Sequence, residues 1–226
     1  SDLKQAIQRE YLKCASDPVH FMRKYCTIQH PTKGKVKFDL YPFQEKCLTD
    51  FKDNRYNIIL KARQLGISTL SAGYSLWLML FHNDKNILVI ATGKDTAKNL
   101  VTKVRVMYEN LPQWLKTGTE EINKLSLRFK NGSQIKAIAS NESAGRSEAL
   151  SLLIIDEAAF IDRIDTIWTA AQQTLSTGGG CIALSTPNGV GNWFHKQWLG
   201  AEEGTNEFHT IRLHWTDHPD RDETWR

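Results

Sequence analysis

The chain has 226 residues, enough for one substantial domain with a small appendage and too few for two full domains. Its hydrophobic share of 41%, charged share of 24% and net charge of +4 suit a globular protein in water and are compatible with a nucleic-acid partner without requiring one. Cys14, Cys26, Cys47 and Cys181 form no C-x-x-C pair and no apolar stretch is long enough to span a membrane, so disulfide-stapled, zinc-ribbon and membrane-spanning classes are set aside and reduced cytoplasmic thiols are expected.

Leu3, Ile7, Tyr11 and Leu12, then Phe21, Met22 and Tyr25, recur at helical spacing over residues 2–26. A polar link at 30–37 leads to Tyr41-Pro42-Phe43-Gln44. Strands are predicted at 57–60, 86–91, 152–155 and 181–185, and helices at 68–82, 95–110 and 164–175. Segments 125–129 and 134–139 alternate around Asn131-Gly132, a strong hairpin signal. Apolar strands alternating with helices imply a mostly parallel α/β sheet covered on both faces, with its ligand at the carboxyl ends of the strands. After Gly189-Val190-Gly191 the character changes to an amphipathic helix with Trp193, Phe194 and Trp198, a turn at Gly204 and then residues 207–215. The expected division is therefore a core over 1–190, with an N-terminal helical segment, and the start of a small lid or linker subdomain over 191–226.

Residues 61–69 read Lys-Ala-Arg-Gln-Leu-Gly-Ile-Ser-Thr. Compared with the phosphate loop G-x-x-x-x-G-K-[ST], Gly66 and Ser68 fit, whereas Ile67 stands where the lysine belongs and Lys61 where the first glycine belongs. Backbone N–H groups around Gly66 at a helix start suit phosphate oxygens. Ser68, with Thr69 beside it, supplies a hydroxyl for Mg²⁺, and Lys61 or Arg63 must bring the missing charge. The apolar run Leu152–Ile155 ends in Asp156 and Glu157, the form of a Walker B strand, with one acid for the metal and one for the attacking water. A surface lysine near a turn and solvated acids at a strand end are the plain alternatives, but the two motifs in this order within an α/β pattern point to an ATPase. Gln44 has an amide suited to adenine, with Tyr41 or Phe43 near the ring. Arg146, in Ala144-Gly145-Arg146-Ser147, is placed as an arginine finger or as a surface charge. Ser185, Thr186 and Asn188 can sense a γ-phosphate or simply form a turn.

Tyr-Pro-Phe-Gln at 41–44, Lys-Ala-Arg-Gln-Leu-Gly-Ile-Ser-Thr at 61–69, Ile-Ile-Asp-Glu-Ala-Ala-Phe at 154–160 and Ser-Thr-Pro-Asn-Gly at 185–189, in this order, resemble the ATPase domain of the large terminase subunit of tailed bacteriophages, from about Phe38 to Trp198. That resemblance implies a RecA/ASCE-type P-loop NTPase that uses ATP and Mg²⁺ to drive double-stranded DNA into a procapsid. It implies a portal protein and a small terminase subunit as partners, a pentameric ring on the portal, a monomer in isolation, no membrane, and a place in the host cytoplasm at the procapsid portal. By match, Gln44 is the adenine reader, and Lys61, Arg63, Gln64, Leu65, Gly66, Ile67 and Ser68 are the phosphate loop. Asp156 is the magnesium ligand, Glu157 the catalytic base and Ser185-Thr186 the coupling motif. Arg146 is the arginine given to a neighbouring subunit. The nuclease domain of full-length large terminases has no room in this chain. The competing expectations are a helicase-like translocase and a nucleotide-gated DNA-binding or assembly module with weak hydrolysis. Lys94, Lys98, Lys103 and Arg105 form one candidate DNA stripe, a solvated helix face being the plainer reading.

Overall fold

The computed structural model describes residues 1–30, 32–63, 65–140, 149–175 and 177–217. In chain order its elements are α1 (Asp2–Ser16), α2 (Pro18–Tyr25), β1 (Thr27–His30), β2 (Gly34–Lys37), α3 (Pro42–Asp53), β3 (Tyr56–Lys61), α4 (Ile67–Phe81), β4 (Asn86–Ala91), α5 (Lys94–Glu109), β5 (Thr119–Ile122), β6 (Ser126–Phe129), β7 (Gln134–Ala139), β8 (Leu152–Asp156), α6 (Ile164–Leu175), β9 (Gly180–Ser185), α7 (Trp193–Glu203) and β10 (Phe208–Leu213).

Successive side chains of a strand point to opposite faces, so each central strand feeds two cores. Ile59, Val89, Ile154 and Ile182 lie beneath the helices α2 to α5, while Ile58, Ile90, Ile155 and Ala183 face α6 and α7. This two-sided burial is what near-continuous apolar strands require, and it favours a parallel sheet. Among the described residues the main sheet has eight strands in the order β10-β3-β9-β8-β4-β7-β6-β5. Strands β10 through β7 in that order run parallel, and β6 and β5 are antiparallel additions. Helix α4 carries the chain from β3 to β4 and leaves β9 and β8 to fill the space between them. The carboxyl ends of β3, β9 and β8 therefore stand side by side at one rim, the usual place for a ligand in such a sheet.

Three segments differ from the sequence reading. The polar link is a two-stranded hairpin, with Ile28 opposite Val36 and Gly34 turning at φ 71; its period of two is masked by alternating lysines. Residues of α3 were not expected as a helix, because only Cys47, Leu48 and Phe51 form its buried apolar face. Residues 193–213, within the stretch 191–226 expected to begin a small lid or linker subdomain, pack into the main layers. Strand β10 pairs in parallel with β3 along its whole length, from Phe208 opposite Tyr56 to Leu213 opposite Lys61. Trp168 of α6 lies 5.7 Å from Trp193 of α7 and 5.4 Å from Phe208, ring centroid to centroid, so the tryptophans that suggested a new unit close the second core. No helix among the described residues is long and apolar enough to cross a membrane.

The N-terminal helices are tied together by one carboxylate. Glu10 Oε1 accepts from His20 Nε2 at 2.7 Å, from Tyr25 OH at 2.8 Å and from Lys24 Nζ at 3.1 Å. The nearby Cys14 has metal-ligand spacing with Glu10 and His20. Burial and the Glu10 charge push its thiol up to about 12, and the Lys24 ammonium lies 3.1 Å from the same Glu10 oxygen. The hydrogen bonds from His20 and Tyr25 lower the Glu10 carboxyl from 4.5 to about 2. A folded-state value below the unfolded one stabilises the fold above pH ~4.5 and loses that contribution as pH falls toward ~2. Glu10→Gln is thus expected to lower the melting temperature at pH 7 and to flatten its fall between pH 5 and pH 3. An unchanged pH profile would show that the hub contributes nothing.

Candidate active site

Strand β3 ends at Lys61, and α4 begins at Ile67. Gly66 caps α4 in the left-handed region, at φ 71 and ψ 19. A Cβ there would lie 2.9 Å from Gln44 Nε2, so glycine suits both the backbone turn and the close approach. The first turn of α4 thus presents unpaired N–H groups and the positive end of the helix dipole at the sheet rim, a setting that favours anions.

Two carboxylates from β8 share this rim. Asp156 is only 6% exposed, and Ser68 donates its hydroxyl to Asp156 Oδ2 at 3.1 Å. Burial holds the Asp156 carboxyl above the usual carboxylate range, while Lys61, the Ser68 hydrogen bond and Lys103 pull it back. Glu157 leaves the strand in left-handed backbone, at φ 53 and ψ 48. That is a strained conformation for a residue with a side chain, of a kind found at functional positions. Both of its carboxylate oxygens are held. Lys61 Nζ lies 3.2 Å from Oε1, and Thr186 donates its hydroxyl to Oε2 at 2.9 Å. The Lys61 side chain is 10% exposed and that of Glu157 27%, so the ion pair is shielded from solvent on the lysine side.

The loop after β9 is laced to the turn after β8. Ser185 Oγ accepts from the Ala159 N–H at 3.1 Å and donates to the Thr186 carbonyl at 2.7 Å. Asn188 Nδ2 donates to the Ala159 carbonyl at 2.9 Å. Three adjacent strands therefore deliver a lysine, a hydroxyl and an acidic pair to one point. Ser68 Oγ and Asp156 Oδ2 are hard oxygen donors 3.1 Å apart. Their spacing fits neighbouring corners of an octahedron with ligands at ~2.1 Å, the geometry Mg²⁺ demands.

Residues 58–225 match the model of the family described as terminase large subunit, T4likevirus-type, N-terminal. The chain belongs to that terminase family. Over 101 residues it is 34% identical to the probable terminase large subunit gp28 of Escherichia phage Mu, a match that covers 44% of this chain and 18% of the phage Mu protein. Its fold resembles that of the Thermus phage P74-26 large terminase ATPase domain, with a TM-score of 0.67 and 22% identity over 81% of this chain and 85% of that one. It also resembles the large terminase of a thermophilic bacteriophage in complex with ATP-gamma-S, with a TM-score of 0.63 and 16% identity over 82% of this chain and 47% of that one. The fold is the mostly parallel α/β sheet of terminase ATPase domains.

In this terminase the phosphate-loop side chains divide. Leu65 is 2% exposed and Ile67 1%, both with their side chains packed in the core beside α4 and out of the rim. Thr69 is half-buried and Arg63 is exposed beside the loop. Gln44 was expected to read adenine, but its amide already works within the protein. Oε1 accepts from the Tyr41 N–H at 3.0 Å and Nε2 donates to the Leu65 carbonyl at 3.2 Å. At 4% exposure it is first of all a tether between the start of α3 and the phosphate loop. A cavity of about 390 Å³ adjoins it, walled by Tyr41, Phe38, Ile28 and Val36 on one side and by Leu65, Gly66 and Thr69 on the other. Gln64 and Arg146 lie outside the described residues. Lys103, grouped by sequence with a solvated stripe, is instead partly buried with its charge acting on Asp156. Helical periodicity carried the signal, since Lys103 and Lys94 are ~180° apart around an α-helix.

Proposed function

We propose that this terminase chain is an Mg²⁺-dependent ATPase and the motor domain of a DNA-packaging machine. One observation carries the reading: the Lys61–Glu157–Thr186 contacts sit beside the Ser68–Asp156 pair at the carboxyl ends of adjacent strands. The γ-phosphate enters at the first turn of α4, against the backbone N–H groups of residues 65–69. Lys61 moves from Glu157 Oε1 onto the β- and γ-phosphate oxygens, with Arg63 as the outer cation. Glu157 Oε1 is then free to take a proton from the attacking water, while Thr186 keeps Oε2 in place. Ser68 and Asp156 would hold Mg²⁺, which when bound neutralises charge on the phosphate oxygens. The base occupies the cavity beside Tyr41 and Gln44, and the Gln44 amide links that cavity to the loop.

The Ser185–Thr186–Asn188 segment touches both Glu157 and the Ala158–Phe160 turn, so a change at the carboxylate is passed to the loop after β9. This contact supports a coupling role, with ATP hydrolysis driving double-stranded DNA into a procapsid. In the same reading the chain works with a portal protein and a small terminase subunit, as a pentameric ring at the procapsid in the host cytoplasm, with Arg146 reaching the ATP of a neighbour. The test is phosphate release from ATP by the chain, with and without Mg²⁺, alongside binding of a fluorescent ATP analogue. Release that requires Mg²⁺ is expected. Nucleotide binding with no release at any protein concentration would replace the ATPase with a nucleotide-gated assembly module.

A further inference from the structure

The basic residues of α5 lie on two different sides of the helix. At ~100° per residue, Lys94 and Arg105 fall within ~20° of each other, whereas Lys103 falls on the far side. Arg105 pairs along the helix with Glu109 at 3.8 Å. Lys103 stands at the opposite border of the buried stripe. With Thr102 and Met107 it lines a mostly apolar cavity of about 340 Å³, closed by Thr69 of α4 and by Thr27 and Ile28 of β1. Thr69 follows Ser68 directly, and Ile28 and Thr69 also wall the cavity beside Gln44, so the two spaces meet at the phosphate loop.

No carboxylate of the described residues is within ion-pair range of the Lys103 ammonium, which is half-buried in this apolar setting. A sheltered charge of that kind is costly without a partner. The partners whose fields reach it belong to the site: burial and the Lys61 charge lower its pKa, and the Asp156 carboxylate raises it. Lys61 is already engaged by Glu157, and Ile67, where a phosphate loop ordinarily carries its lysine, is turned into the core. Among the described residues the site therefore has Lys61 committed to Glu157, two acids and a nearby ammonium with no close counter-ion.

We propose that Lys103 is a further cation of the nucleotide site, beside Lys61 and Arg63, supplying from α5 part of the positive charge that position 67 lacks. The inference rests on the ATPase reading above and adds a residue that the phosphate-loop and Walker B motifs do not contain. As a positioning residue, Lys103 offsets the charge of the Mg²⁺-bound triphosphate beside the Ser68–Asp156 pair. It does so from the wall formed by α5 and the β1–β2 hairpin.

The experiment compares wild type with Lys103→Met, Lys103→Arg and Lys98→Met. It reads the affinity for a fluorescent ATP analogue with Mg²⁺, kcat and KM separately, and the melting temperature. Lys103→Met is expected to weaken nucleotide affinity about tenfold, the scale of one charge-assisted contact. Its melting temperature should stay level or rise, because a sheltered charge is gone. Lys103→Arg should restore most of the affinity, and Lys98→Met, on the other border of α5, should match wild type. Wild-type affinity in Lys103→Met would overturn the inference alone. Equal losses in the Met and Arg variants would assign the effect to shape and overturn it as well. A wild type that binds no nucleotide would overturn the ATPase reading, and this inference with it.

Discussion

Glu157→Gln is expected to lower ATP turnover by ~10³-fold, within the range that a positioned general base contributes. The amide is nearly isosteric, and its oxygen still accepts from Lys61 Nζ, which lies 3.2 Å from Oε1. Its nitrogen can donate to the Thr186 hydroxyl that now donates to Oε2 at 2.9 Å, so the turn after β8 stays tied to the loop after β9. Nucleotide affinity should therefore be kept while the capacity to take a proton from water is lost. Loss of the negative charge also loosens the hold on Lys61 and frees it for phosphate, so affinity is expected to equal or exceed that of wild type. Single-turnover hydrolysis and equilibrium binding, measured side by side, separate the two quantities. Turnover within tenfold of wild type would move the base to another residue.

Lys61→Met carries the second large effect, and it falls on binding. A charge-assisted hydrogen bond contributes ~1.5–3 kcal/mol, which corresponds to ~10–10²-fold in affinity. The loss has two sources. The phosphates lose their nearest cation, and Asp156 and Glu157 are left facing each other without the charge that now holds the Asp156 carboxyl down. Lys61→Arg is expected to recover part of the affinity, because the charge is kept while its shape changes. Arg63→Ala, at an exposed position, should cost much less than Lys61→Met. The reverse ranking in a titration with a fluorescent ATP analogue would make Arg63 the replacement cation.

The parts of this site that were legible in the sequence are those encoded by local pattern. Four apolar residues before Asp156 and Glu157 specify a strand buried on both faces, and Gly66 before a helical run specifies the left-handed turn that opens α4. Other features depend on distant partners. The sequence neighbours of Gln44 say nothing of the Leu65 carbonyl that its amide meets. The strand at 208–213 resembled the start of a new unit because its partner, β3, lies far upstream, and only the pairing of Phe208 with Tyr56 reveals one sheet. The hairpin at 27–37 is hard to read from sequence because its paired apolar residues, Ile28 and Val36, are only half-buried, and Val36 stands between Lys35 and Lys37, which conceal a period of two. Lys103 was grouped with residues that share its charge but not its side of α5.

The central claim is that Lys61 does the work of the missing phosphate-loop lysine and that Glu157 is released to act on water when it does. A structure of the chain with Mg²⁺ and a non-hydrolysable ATP analogue tests it most directly. Lys61 Nζ should then lie within hydrogen-bond distance of β- or γ-phosphate oxygens and withdrawn from Glu157 Oε1, with Thr186 still on Oε2. Phosphates neutralised by other cations while Lys61 remains paired with Glu157 would contradict it.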